Sequence, residues 1–424
     1  MRVAIHDYAG HPFQFDLSRA LARLGHEVRH FYFGDDPGPK GDRNLRFDDP
    51  SGFSIEAIHI PLGYTKDRML RRFAADQIYA VHAARRIAKF APDIVVSGNS
   101  PLDVQRALRA ATHRHGGTFV FWVQDFYGLA MQKLLARRWM GAGDMISKWY
   151  RKVEIDTLKK SDAIILISPA FALHLPSGLA ARDAVHIMRN WGSVDLIRPG
   201  DRDNAWRRKI GLGEKFVFMY TGTLALKHDP ALLLALSDAF ADDPDVEIVV
   251  VAAGVNAQRL AKEQESAPRA NLRLLPLQPA VELADTLATA DVLVALLEED
   301  AGEFAVPSKL LNYLCAGRPI LLSAPSSNLS VSILAESEGG ISVPPLDRLG
   351  FVTQARRLYE DSSFSQRLGR SGRDYAERHF VISEIAARFE AIFNQVRPAA
   401  CLPSAPDKRR KISRPTRNDY PRTG

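Results

Sequence analysis

The sequence predicts an α/β protein made of two Rossmann-like units, and three observations carry that reading. At 424 residues the chain is longer than one hydrophobic core usually supports. From residue 3 onward, short apolar runs alternate with amphipathic helical stretches, the pattern of parallel strands joined by crossover helices. After a turn-rich stretch near residues 190–200 the same alternation starts again at KFVFMY (215–220).

The first unit opens with a strand at Val3–Ile5, the loop HDYAGHPFQF, an amphipathic helix and a second strand, GHEVRHFYF. This β–loop–α–β opening is Rossmann-like. Its loop holds Gly10 alone rather than three spaced glycines, so the dinucleotide fingerprint is absent. A helical stretch at 64–91 is followed by PDIVVSGNSPLDVQRAL, a buried strand, a polar turn at Asn99 and a helix with Pro101 near its start. FVFWVQDFYGLAMQ is another strand, ending in a loop at Gln124 and Asp125. Ligands of open α/β sheets bind beyond the carboxyl ends of strands, where both loops should lie. Asp125 there serves equally well as a helix cap. SDAIILISPAFALHL reads as a strand and a helix.

The second unit begins with KFVFMYTGTLALKHDPALLLALSDAF, a strand, a loop with Gly222 and Lys227, and a helix that Asp229 caps with Pro230 at its first position. VEIVVVAAG is a fully buried strand. NLRLLPLQPAVELADTLATADVLVALL reads as strand, turn, helix and strand. Then come an acidic loop, EEDAG, and EFAVPSKLLNYLCAGRP (303–319). Pro307 suits a first helical turn, Leu310, Leu311, Leu314 and Cys315 recur at helical spacing, and Gly317 with Pro319 ends the helix. A helix start behind a strand offers free N–H groups to an anion. Lys309, unfavourable against the helix dipole by itself, makes sense there beside phosphate; taken alone it reads as a solvated cap lysine.

Composition limits the function classes. The net charge is +7 and the pI about 9.3, but residues 397–424 hold eight Lys/Arg against two Asp, so the tail carries six of those seven charges. The folded body is close to neutral, which argues against nucleic acid, and the Pro-, Ser- and Arg-rich tail reads as disordered. Two cysteines exclude a disulfide framework and a cysteine-based zinc site. No signal peptide and no apolar run of membrane-spanning length is recognised, so a cytoplasmic protein is expected. Lys133–Lys152 reads as a second basic helical stretch, with six Lys/Arg, one Asp, Trp139, Trp149 and Tyr150. Basic residues mixed with tryptophan suit an anionic membrane surface, a reading favoured over a plain amphipathic helix with its tryptophans in the core because the stretch at 64–91 is basic too. The DxD patterns Asp201–Asp203 and Asp243–Asp245 read as surface caps, and no HExxH, P-loop or GxSxG motif is present.

VPSK, a helix, then AGRP, all behind an acidic loop, resembles the donor-binding segment of family-4 retaining glycosyltransferases of the GT-B fold, in particular the bacterial subgroup that builds exopolysaccharide and O-antigen. AVHIMRNWGSVDLIRP resembles the family's inter-domain signature, through Asn190, Gly192, Val194, Asp195 and Pro199. The resemblance implies two Rossmann-like domains facing each other across a cleft: an acceptor domain over 1–195 and a donor domain over 196–380. A closing helix over 381–396 would pack back on the first domain, with a disordered tail over 397–424. It implies that Gly222, Thr223, Lys227, Ser308 and Lys309 bind the donor, with the Gly222 loop, Lys227 and Lys309 on its diphosphate, and that the backbone at Leu277 and Gln278 meets the base. Asn312, where the family has glutamate, would contact the ribose. The family's other glutamate falls on Phe304, and a one-residue difference in loop length would bring Glu303 into its place against the donor sugar. Gly10, His11 and Asn99 would meet the acceptor, with Asp125 near it in a catalytic position. Gln124 and Thr223 replace basic residues common in the family.

The function implied is retaining, metal-independent transfer of a hexosyl or N-acetylhexosaminyl unit from a uridine-linked nucleotide sugar to a lipid-linked acceptor, in surface polysaccharide synthesis. No cofactor is expected, the nucleotide sugar being a substrate. The implied site of action is the inner face of the cell membrane. A UDP-sugar 2-epimerase shares the architecture and the donor. A catalytically silent scaffold subunit is the third reading, suggested by Gln124, Thr223 and Asn312.

Overall fold

The computed structural model describes residues 1–36, 41–64, 69–136, 142–225, 228–299 and 308–397. Within these, all strand pairings are parallel and form two sheets. The first contains β1 (Arg2–Asp7), β2 (Glu27–Phe33), β3 (Phe53–Ile58), β4 (Ile94–Gly98), β5 (Thr118–Val123), β6 (Ala163–Leu166) and β7 (Val185–Ile187), in the spatial order β3-β2-β1-β4-β5-β6-β7. Its helices are α1 (Pro12–Arg23), α2 (Met69–Phe90), α3 (Leu102–Arg114), α4 (Tyr127–Ala136) and α5 (Ala142–Lys160). β4 and β5 are buried along their whole length, which is why they read as continuous apolar runs.

A short helix α6 (Ala205–Lys209) leads to the second unit: β8 (Phe216–Thr223), α7 (Ala231–Ala239), β9 (Val246–Ala253), α8 (Val255–Ser266), β10 (Leu272–Leu275), α9 (Leu283–Thr289), β11 (Val292–Leu296), α10 (Ser308–Ala316), β12 (Ile320–Ser323), α11 (Leu329–Ser337) and β13 (Gly340–Val343). The sheet order is β10-β9-β8-β11-β12-β13. Period-2 alternation puts Val217 and Met219 of β8 in the core shared with the first unit, while Phe218 and Tyr220 belong to a separate core on the opposite face. Three helices close the chain: α12 (Arg348–Glu360), α13 (Ser362–His379) and α14 (Ile382–Val396).

The units share one core at their junction. Trp191 stacks on Trp122 of β5 (centroids 5.6 Å, planes 17° apart), Phe13 of α1 meets both rings edge-on, and Phe389 of α14 meets Trp122 at 5.1 Å. Gly192 follows because the linker runs against α10: a Cβ there would lie 2.5 Å from the Leu311 carbonyl oxygen. Arg373 of α13 donates to the carbonyls of Cys315 (2.7 Å) and Ile197 (2.8 Å), tying the end of α10 to the linker. α14 packs on α1, and its Glu390 pairs with His26 at 3.0 Å.

Three expectations are corrected. The helix read in SPAFALHL is a single 3-10 turn, Pro169–His174, started by Ser168 accepting from the Ala170 N–H (3.2 Å) and too short to propagate. The single stretch read at Lys133–Lys152 falls on two helices, α4 and α5. α7 begins at Ala231: Pro230 takes the cap position, and the Asp229 carboxylate accepts from the Ala231 N–H at 3.0 Å. Between α12 and α13 the Asp361 carboxylate caps α13 by accepting from the Phe364 N–H at 2.9 Å.

Candidate functional site

In each sheet the strand order reverses direction at one place, between β1 and β4 in the first and between β8 and β11 in the second. The crevices at the carboxyl ends of these strands are the expected ligand positions. The predicted residues fall mostly beside them.

On the first sheet β1 ends at Asp7, and Gly10 turns the chain with φ at 73°, a conformation that favours glycine. Asp7 is fully buried, yet it accepts from the Ala9 N–H (3.2 Å), the His11 N–H and His11 Nδ1 (3.1 Å). Burial pushes its carboxyl up, but the charge and hydrogen bonds of His11, with His30, outweigh that and leave it below its ordinary value. The His11 side chain is about one-third exposed, and the residue takes the N-cap position of α1. Across the crevice, Asn99 sits half-buried at the end of β4 in the left-handed region, φ 50°. Beneath lies a buried polar layer. His6 contacts Ser97 at 2.9 Å and Tyr79 at 2.9 Å, and burial lowers its pKa to about 4. His30 contacts Ser18 at 2.8 Å and is lowered to about 3, again chiefly by burial.

Asp125 is exposed just past β5. Gln124 beside it forms a reciprocal amide pair with Asn190 of the linker, at 3.1 and 2.6 Å. The residue replacing a basic group is therefore occupied in holding β5 to the linker.

On the second sheet β8 and β11 pair only at Phe218 and Met219, so β8 runs on without that neighbour toward its carboxyl end. The Tyr313 hydroxyl fills the gap, accepting from the Thr221 N–H (3.0 Å) and donating to the Thr221 carbonyl (3.1 Å). Tyr313 is four residues beyond Lys309 on α10, so this contact also docks the start of α10 beside β8. Lys309 lies with Nζ 3.7 Å from the centroid of the Tyr220 ring and donates to the Tyr220 hydroxyl. That hydroxyl donates in turn to the Thr223 carbonyl at 2.9 Å, and burial pushes the phenol well above its ordinary value. Gly222 has φ at 117°, and a Cβ there would stand 3.7 Å from Lys309 Nζ. Two of the residues expected to bind diphosphate are thus neighbours, and Lys309 is half-buried rather than a freely solvated cap.

Thr223 is exposed at the end of β8, Asn312 is half-buried one turn beyond Lys309, and Ser308 begins α10. Leu277 is half-buried after β10. The Gln278 side chain is engaged with Trp206 Nε1 (3.1 Å) and the Pro276 carbonyl (2.7 Å). Lys227, Glu303, Phe304 and Pro307 lie outside the described residues, as does Trp139. In the DxD patterns, Asp201 accepts from the Asp203 N–H (3.1 Å) and Asp243 from the Asp245 N–H (3.0 Å), as local turn caps do. Among the described residues no group of three or more His, Cys, Asp or Glu is arranged to hold a metal. Sequence reasoning missed Asp7, Tyr220 and Tyr313. The i,i+4 spacings Asp7–His11 and Lys309–Tyr313 were the available signals.

A family profile described as Glycosyltransferase Family 4 matches residues 14–191. WcaI of Escherichia coli strain K12, provisionally assigned as a colanic acid biosynthesis glycosyl transferase, is 25% identical over 279 residues, covering 65% of this chain and 67% of WcaI. Sucrose-phosphate synthase from Thermosynechococcus elongatus superposes with a TM-score of 0.72 at 15% identity, over 93% of this chain and 99% of the other. Anabaena HepE in complex with UDP and glucose superposes with a TM-score of 0.66 at 13% identity, over 93% of this chain and 100% of HepE.

Proposed function

The chain belongs to glycosyltransferase family 4 and has the GT-B fold, and from that premise we propose that it moves a sugar from a uridine diphosphate donor to a lipid-linked acceptor in surface polysaccharide synthesis. The observation that carries the donor half is the apposition of Gly222 and Lys309 at the β8–β11 crevice. A glycine with positive φ lets the backbone approach a diphosphate, Lys309 supplies charge, and the start of α10 supplies oriented N–H groups. In the reaction the acceptor oxygen bonds to the anomeric carbon while the bond from that carbon to the phosphate oxygen breaks. The electron pair leaves with the diphosphate, which also takes the hydroxyl proton. Charge grows on the diphosphate as this proceeds, so fixed cations there lower the barrier. We read the transfer as retaining and as using these groups instead of a metal or cofactor. Lys227 would share the charge, Asn312 would meet the ribose, and Glu303 or the backbone at Phe304 the donor sugar. Gly10, His11, Asn99 and Asp125 would face the acceptor. The UDP complex of HepE supports the choice of nucleotide, and the assignment of WcaI supports the pathway class.

The lipid half rests on α5. Its first turns expose Met145 (75%), Ile146 (42%) and Trp149 (41%) beside Lys148. An apolar ridge flanked by cations suits the inner, anionic face of a membrane as a peripheral contact. No helix among the described residues is long and apolar enough to cross one.

Calorimetric titration with UDP and UDP-sugars tests the reading. Lys309→Ala should bind about tenfold or more weakly, the loss expected for a hydrogen bond to a charged group. A folded protein that binds none of these, nor other nucleotide sugars, would instead be a scaffold subunit.

A further inference from the structure

We propose that Tyr220 is a positioning residue for Lys309: its hydroxyl and ring face seat the ammonium against Gly222, ready for the donor's diphosphate. This rests on the donor reading above and adds a residue that does not itself touch the donor.

The seat is rigid and neutral. Tyr220 is fully buried in the second unit's own core with Phe218, Leu233, Leu236 and Val250, and its strand pairs with β9 from Phe216 to Thr223. Its hydroxyl donates to the Thr223 carbonyl at 2.9 Å. That bond uses the one hydrogen a phenol has, so toward Lys309 the oxygen acts as an acceptor. Lys309 Nζ donates to this oxygen and also lies 3.7 Å from the ring centroid, so it meets both a lone pair and the negative face of the ring. Burial pushes the phenol well above its ordinary value, so it holds the lysine without an opposing charge. A carboxylate in this place would pair with the ammonium and cancel the charge that a diphosphate needs.

The same side chain also shapes the backbone that faces the lysine. The bond from Tyr220 to the Thr223 carbonyl spans Gly222, and a Cβ at that glycine would stand 3.7 Å from both Cε and Nζ of Lys309. An ammonium has three donors, and the seat uses one, so bonds to phosphate oxygens stay compatible with it. Without the seat, a donor would have to order a long, rotamer-rich side chain as it binds. The approach of α10 is fixed separately, by the Tyr313 hydroxyl on both backbone groups of Thr221. Tyr313 places the helix, and Tyr220 places the lysine that the helix carries.

The test is a double-mutant cycle, read by calorimetric titration of the full chain with UDP. It uses Tyr220→Phe, Tyr220→Met, Lys309→Met and the two double variants, each checked for folding by circular dichroism. Tyr220→Phe keeps the ring and loses the oxygen, and should weaken UDP about fivefold. Tyr220→Met loses the ring face as well and should weaken UDP about tenfold or more. Either variant alone completes a cycle if the other fails to fold. In the Lys309→Met background neither change at position 220 should move UDP affinity by more than about twofold, because no ammonium remains to be placed. A role confined to the shape of β8 would give the same loss in both backgrounds, and that result would overturn the proposal. So would wild-type affinity in the Tyr220 variants. Wild-type affinity in Lys309→Met, or a folded wild type that binds neither UDP nor any nucleotide sugar, would overturn the donor reading itself, and this inference with it.

Discussion

Asp7 and His11 form a closed pair across one turn of chain, the buried carboxylate 3.1 Å from the imidazole Nδ1. Because Asp7 also accepts from two loop N–H groups, it shapes the whole turn into α1. Asp7→Ala strands those donors and should cost about 1–3 kcal/mol in urea unfolding. Asp7→Asn keeps an accepting oxygen and should cost less. Equal losses would mean that the turn does not depend on the acceptor at position 7.

Tyr313 stands in for a missing strand. Its hydroxyl satisfies both backbone groups of Thr221 where β8 has no partner in β11. Tyr313→Phe keeps the ring packing and leaves an N–H and a carbonyl unsatisfied, so a loss of about 1–3 kcal/mol is expected in chemical denaturation. UDP binding should weaken as well, since the start of α10 loses its tie to β8.

His6 makes the fold sensitive to acid in a defined window. Its pKa is about 4 when folded against 6.5 for the free side chain, lowered by burial. Between these values the unfolded chain binds the extra proton, so stability present above pH 6.5 falls as pH drops toward 4. The full effect is on the order of 3 kcal/mol. His30, lowered to about 3, acts in the same direction and extends the loss to lower pH. Melting temperatures of His6→Gln should vary less with pH between 6.5 and 4 than those of wild type. An unaltered slope would show that His6 is charged in the folded protein.

Gly192 lets the linker touch α10. In Gly192→Ala the new Cβ meets the Leu311 carbonyl oxygen at 2.5 Å and the Cys315 sulfur at 2.6 Å, so the linker has to shift. Overpacking of this kind costs about 1–3 kcal/mol. Because the clash lies at the junction of the two units, thermal unfolding of the variant should show a broadened or divided transition.

The architecture was legible because parallel strands buried on both faces leave apolar runs that cannot be mistaken for surface. VEIVVVAA and DVLVALL are examples, and the structure has β9 and β11 there. Gly222 and Lys309 stood out in the sequence because diphosphate chemistry needs glycine and a cation near a helix start, and the fold brings the two together. Tyr220 and Tyr313 were not. Their roles arise only once β8 lies beside β11, two strands separated by two others in sequence, and no local pattern encodes that neighbour. β3 escaped notice because its middle four residues, Ser54–Ala57, are half-buried and blur the alternation. Gln124 looked like a lost functional group until Asn190, far along the chain, supplied its partner.

The packing of α14 on α1 bears on the order in which a ribosome could build this protein. Phe389 and Phe393 belong to the same core as Trp122 and Trp191, so that core stays incomplete until α14 has been made. At about 5–20 residues per second, the roughly 200 residues from the linker to α14 delay completion by roughly 10–40 s. During that interval the nascent first half presents an aromatic face with no cover, a natural client for holding chaperones. Chains cut short before Ile382 would keep that face open permanently and should accumulate as aggregates, even with every strand of both sheets present.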